Sequence, residues 1–204
     1  MSKKEDKMKK LNEQYRFLRT NIKFNDQSVK SIVVTSGYFG EGKTTVAANL
    51  AKSLALGGDK VVIVDLDLRR PSLRKYFDMD MEIGATNVIE NELDYRNAIS
   101  HDESIWDLDI IHSGAIPVNR ISEIISSQKM EKFINDLEKD YDYIIIDTPP
   151  VQEYSDAITL AAMADGVAVV YKVGETKVGE LKETLDKLKN VKANILGLVK
   201  MNNE

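Results

Sequence analysis

"VVTSGYFGEGKTTVAANLAKSLA", residues 33–55, opens as an apolar run, breaks at three glycines, and continues as a stretch rich in alanine and leucine. Gly37, Gly40 and Gly42 fall within six residues. Glycine loses more backbone freedom on folding than any other residue, so such a cluster marks a close approach to the backbone or unusual dihedrals. Gly37-x-x-x-x-Gly42-Lys43-Thr44 has the spacing of a phosphate-binding loop, in the strand–loop–helix setting that the motif requires. In such a loop the glycines let successive N–H groups turn around phosphate oxygens, and the following helix adds its positive end. Gly37, Gly40, Glu41, Gly42, Lys43, Thr44 and Thr45 are therefore the candidate nucleotide-binding residues. Lys43 is spaced to reach the β- and γ-phosphates, and the Thr44 hydroxyl to ligate Mg²⁺.

Outward from the loop the chain alternates. Ser31–Thr35, Lys60–Asp65, Leu108–His112, "DYIIIDTPP", "GVAVVYKV" and "ANILGLVKM" read as strands, and they are solidly apolar rather than alternating. Such runs belong to strands buried on both faces. Between them the sequence predicts helices over 43–56, 122–140, 157–164 and 178–188, the first stopped by Gly57-Gly58. The expected fold is α/β, a doubly wound and mainly parallel β-sheet flanked by helices. Ahead of it, residues 5–23 form an amphipathic helix with Met8, Leu11, Tyr15, Leu18 and Ile22 on one stripe. Without a linker or an internal repeat, residues 1–204 are expected to make one domain.

Composition narrows the function. With 30% charged residues and a net charge of -5, the chain is not a general nucleic-acid binder, which would be basic. It has no cysteine, which excludes disulfides and thiolate metal sites. No apolar run approaches the roughly 20 residues that span a bilayer, so a soluble cytoplasmic protein is expected, with any membrane association supplied by a partner.

Two more segments supply carboxylates. "VVIVDLDLRRP", residues 61–71, places Asp65 at a strand end with Asp67 and Arg69 beyond it, and "YDYIIIDTPP", residues 141–150, ends a strand with Asp147. Ligands of open α/β sheets bind at the carboxyl ends of the strands, where all three aspartates can meet the loop. Mg²⁺ takes one or two carboxylates beside phosphates and water, which suits Thr44 with Asp147 and one of the other two, Asp67 being favoured. The remaining aspartate is a candidate to orient or deprotonate an attacking hydroxyl, so Lys43, Asp65 and Asp67 are the catalytic candidates. The plainer alternative is that an aspartate after a strand caps the next helix. Arg69 and Arg70 either bind phosphate or lie in solvent.

Together, "GEGKTT", "VVIVDLDLRRP", "YDYIIIDTPP", "SDA" and "ADG" resemble the bacterial tyrosine kinase (BY-kinase) family, over nearly the whole chain. The resemblance implies ATP and Mg²⁺ as ligands, a tyrosine hydroxyl as acceptor, and a role in capsule and exopolysaccharide assembly. It also implies a membrane-anchored activator and a homo-oligomeric ring. Related division and partition ATPases of the MinD/ParA type carry a second lysine early in the loop, where this chain has Tyr38; a switch ATPase and a nucleotide-sensing scaffold are the rival expectations. "EQYRFLRTNI" holds Glu13, Arg16 and Arg19 in the E-x-x-R-x-x-R spacing, a charged stripe on successive helical turns. In the family that motif is an oligomer interface.

The sequence also departs from the family. Phe39 stands where a proline is usual, "NRISEII" at 119–125 lacks the proline of the family loop, and the terminal "KMNNE" leaves Asn202 as an out-of-register substitute for the base-contacting pair. A terminal tyrosine cluster is expected, and none precedes Glu204. Without it a more stable ring is expected. Of the eight tyrosines, Tyr141, Tyr143 and Tyr171 are expected in the core, and Tyr76, Tyr95 and Tyr154 at the surface. "MSKKEDKMKK" carries five lysines against two acids, in keeping with a stand-alone kinase recruited by a separate adaptor.

Overall fold

The computed structural model describes residues 3–24, 29–77, 82–102, 104–115 and 118–202, with backbone only for 3–8 and 118. Its strands are β1 (Ser31–Ser36), β2 (Val61–Asp65), β3 (Ser100–His101), β4 (Leu108–Ile111), β5 (Tyr143–Asp147), β6 (Gly166–Lys172) and β7 (Ile195–Met201). They form one sheet in the order β3-β4-β2-β5-β1-β6-β7. All pairings are parallel except β3 with β4, a two-residue antiparallel edge that is too short to leave a periodic signal in the sequence.

The helices are α1 (Lys3–Lys23), α2 (Lys43–Ala55), α3 (Ala85–Asn91), α4 (Ile121–Ile125), α5 (Gln128–Asp140), α6 (Asp156–Met163) and α7 (Val178–Asn190). They sort to two faces because strand side chains alternate. Ile32, Val34, Val61, Ile63, Ile145, Ala168 and Val170 point into a core shared with α1 and α2. Val33, Val62, Val64, Ile144, Ile146, Val167 and Val169 point into the opposite core, with residues of α3 to α7. The small side chains Ala47, Ala48 and Ala51 let α2 lie close on the sheet. That closeness brings its N-terminus to the carboxyl ends of β1, β2 and β5.

Two expectations change. The helix foreseen over 122–140 is two helices, because Ser126 leaves helical geometry and Ser127 caps the second, accepting from Met130 N at 3.2 Å. The stripe on α1 holds for Tyr15 and Ile22, which are buried, and for Leu11 and Leu18, which pack at the edge of the α2 core; the Met8 side chain lies outside the described residues. None of the described helices is long and apolar enough to cross a membrane.

Candidate active site at the carboxyl edge of the sheet

Residues 37–42 join β1 to α2, and φ is +84° at Gly40 and +94° at Gly42. Gly42 is the N-cap of α2, so Lys43 and Thr44 open the helix at its positive end. A Cβ at Gly42 would stand 3.0 Å from Met201 Cε, and one at Gly37 would stand 2.9 Å from Thr184 Oγ1. The loop is thus bounded by the end of β7 and by α7. Lys43 is buried, with its ammonium 5.4 Å from the centre of the Phe39 ring. Asn202 is exposed just beyond Met201.

The carboxylates gather as the strand order dictates. β2 and β5 are neighbours, and Asp65 is the register partner of Asp147. Asp147 Oδ2 accepts from the Thr44 hydroxyl at 2.6 Å, which also lies 2.9 Å from Ser72 Oγ. Asp65 Oδ2 accepts from Ser72 N and Leu73 N, each at 3.0 Å, so Asp65 does cap the short 3₁₀ turn Leu73–Lys75. The plainer alternative is therefore true of one oxygen only. Asp65 Oδ1 and Asp147 Oδ1 are buried without a hydrogen-bond partner. Asp67 Oδ1 accepts from Arg70 N at 3.0 Å.

Crowding these acids together has an electrostatic consequence. Burial pushes Asp147 well above the usual carboxylate range, and the neighbouring Asp65 adds to it. Burial, with the Asp67 charge in support, pushes Asp65 up to about 7 against opposing backbone N–H groups. Asp67 is raised as well, by burial, with Lys43 and Arg70 working the other way. Two partnerless buried oxygens beside a threonine hydroxyl suit a hard cation better than they suit an empty interior. Among the described residues no three acidic or histidine side chains gather to hold a metal alone, and a nucleotide-bound Mg²⁺ does not need three.

Around this centre the side chains differ from what the sequence suggested. Arg69 is not free in solvent: it donates to the buried Asp156 at 2.9 Å and to Ser122 at 2.9 Å, with its guanidinium 4.6 Å over the Tyr154 ring. Arg70 is exposed, 4.0 Å over Phe39. Phe39 also meets Tyr154 edge-on at 6.1 Å, so the residue in the proline position builds an aromatic wall beside the loop. Thr45 Oγ1 is 2.6 Å from the Tyr76 hydroxyl. Tyr76 and Tyr154 are half-buried and Tyr95 is buried, its hydroxyl on Asp140, so none of the three is freely exposed. Tyr141 is buried, while Tyr143 and Tyr171 are only half-buried. On α1, Glu13 and Arg16 face outward 3.5 Å apart. Arg19 does not continue that stripe; it donates to Ser53 O at 2.6 Å on its own α2.

Residues 29–201 match the family described as the AAA domain. The tyrosine-protein kinase YwqD of Bacillus subtilis is 37% identical over 92% of this chain and 79% of its own length. The chain belongs to the bacterial tyrosine kinase family. The solved kinase domain of VpsO superimposes with a TM-score of 0.88 at 30% identity, covering 100% of both chains. The cell division ATPase MinD of Pyrococcus furiosus follows at 0.72 and 26%, covering 84% of this chain and 71% of its own. A shared nucleotide-binding core accounts for the second likeness, and the fuller overlap lies with the kinases.

Proposed function

We propose that this chain transfers the γ-phosphoryl group of Mg·ATP to tyrosine hydroxyls, as a cytoplasmic kinase regulating capsule or exopolysaccharide synthesis. The observation that carries the proposal is the pair Asp65 and Asp147, side by side with one unpartnered oxygen each at the mouth of the phosphate loop, where Asp147 accepts from Thr44. Membership of the tyrosine kinase family supplies the acceptor.

The loop amides and Lys43 hold the β- and γ-phosphates and meet the charge that develops on them. Thr44, Asp147 and Asp67 are the residues that would hold Mg²⁺, whose charge would offset that of the phosphate oxygens. With Asp67 on the metal, Asp65 takes the phenol proton, and with the two roles exchanged Asp67 does; with an ordinary pKa near 10, the phenol needs a base, and burial raises both carboxylates above their ordinary range. Asn202, one residue beyond the Met201 that borders Gly42, would contact the nucleotide base. The whole of 1–204 acts as one kinase unit.

The partners in this proposal are further copies of the chain in a ring, a membrane-anchored activator and tyrosine-bearing proteins, with no nucleic acid. The exposed Glu13–Arg16 pair supports the ring; across a subunit boundary such charges orient a neighbour more than they add affinity. Supporting recruitment by a partner is the lack of a membrane-crossing helix among the described residues.

The test is incubation with Mg·ATP and a tyrosine-bearing peptide, read by mass spectrometry for phosphotyrosine. Phosphopeptide formed by the wild type and absent from Asp147→Asn supports the proposal. ATP consumed with no phosphotyrosine would make the protein a MinD-like hydrolase.

A further inference from the structure

Glu41 is an acid inside an anion-binding loop, and it is buried. A carboxylate there is the nearest competitor of the phosphates for the loop's own N–H groups, so something has to hold it. Both of its oxygens are held. Oε2 accepts from Tyr38 N at 2.8 Å, within the loop. Oε1 accepts from the hydroxyl of Thr176, which lies 135 residues away in the turn between β6 and α7. The same hydroxyl oxygen accepts from Lys172 N at 2.8 Å, at the end of β6. The Thr176 proton therefore has one direction open to it, toward Glu41.

That turn is itself fixed. Thr176 N donates to Lys172 O at 2.9 Å, and Val173 N donates to Met201 O at 2.9 Å, tying it to the β7 end that borders Gly42. On the other side of the loop, Gln152 N donates to Gly37 O at 3.1 Å, and its side-chain amide donates to Thr184 of α7 at 3.2 Å. The phosphate loop is thus tied at its Glu41 end to the β6–α7 turn and at its Gly37 end, through Gln152, to the middle of α7.

We infer that Thr176 is a positioning residue for nucleotide binding: by donating to Glu41 it holds that carboxylate on Tyr38 N, away from the remaining loop amides, and makes the β6–α7 turn part of the nucleotide site. The inference rests on the loop's binding of nucleotide and is independent of the acceptor.

The experiment is calorimetric titration of the whole chain with Mg·ADP, for wild type, Thr176→Val, Thr176→Ser and the double variant Glu41→Gln/Thr176→Val. Losing one hydrogen bond to a charged group, with the competitor released, weakens binding about tenfold in Thr176→Val. Thr176→Ser keeps the donor and binds within about twofold of wild type. The double variant separates positioning from simple support of the fold: with the competing charge gone, it binds more tightly than Thr176→Val alone. A ligand-free melt checks that each variant folds, and Thr176→Ala carries the same expectation should Thr176→Val fail to fold. Unchanged affinity in Thr176→Val, or a double variant weaker than the single one, overturns the inference. Absence of ADP binding by the wild type itself would overturn the nucleotide site on which the inference stands.

Discussion

Replacing Asp65 by asparagine should stabilise the ligand-free protein while removing its activity. Asp65 is buried, and its carboxyl is pushed from the ordinary 3.8 up to about 7. In the unfolded chain the group ionises near 3.8, so between there and about 7 the folded state binds the extra proton. Stability therefore falls with rising pH through that window, by about 1.4 kcal/mol per unit, and levels off above it. At about pH 8 the burden on the fold is on the order of 4 kcal/mol; at about pH 5 it is between 1 and 2. Asparagine keeps an oxygen for Ser72 N and Leu73 N. Its amide group, left with poor partners, costs about 2 kcal/mol of the gain. The net expectation is a gain of about 2 kcal/mol at pH 8, a rise in melting temperature of roughly 4–8 °C for a chain of this size, shrinking to nothing near pH 5. Thermal melts in a divalent-metal chelator at the two pH values measure it. A variant that melts at or below wild type at pH 8, or a difference independent of pH, would refute the picture of two acids held against their preference for water.

Three further outcomes follow from the same geometry. Lys43→Met should lower phosphorylation by at least about a thousandfold with an unchanged circular dichroism spectrum, because Lys43 meets transition-state charge and its stem fits a methionine. Arg69→Ala should leave the carboxylate of Asp156, itself 2% exposed, buried without its cation, and lower stability in urea by about 3–5 kcal/mol. Arg16→Glu turns the outward Glu13–Arg16 pair into like charges and should shift the protein toward smaller species in light scattering, with the monomer's melting temperature within about 2 °C of wild type.

Much of this was legible in the sequence because the signals were local. The apolar strands, the glycine spacing and the strand-end aspartates each reflect one element, and parallel neighbours bring strand ends together without further instruction. What the sequence hid depends on distance or on competition between rules. Ser126 and Ser127 interrupt an apolar period that continues across them, so the period outweighed the cap. Asp65 was seen as a ligand or a cap; it is a cap with one oxygen and an unpartnered acid with the other. Arg69 finds Asp156 and Arg19 finds Ser53 through tertiary contacts that charge patterning does not encode. Thr176 had one weak signal, a hydroxyl residue just ahead of α7, and its partner Glu41 lies far back in the chain. Phe39 was conspicuous as a departure, and its purpose became readable only with Arg70 and Tyr154 beside it.

The central claim is the fate of the γ-phosphoryl group. Wild-type protein with γ-labelled Mg·ATP, a tyrosine-bearing acceptor peptide and an activator tail should place the label on tyrosine, one for each ADP formed beyond background hydrolysis. Label recovered only as inorganic phosphate, at the same rate with and without the acceptor, would contradict the account.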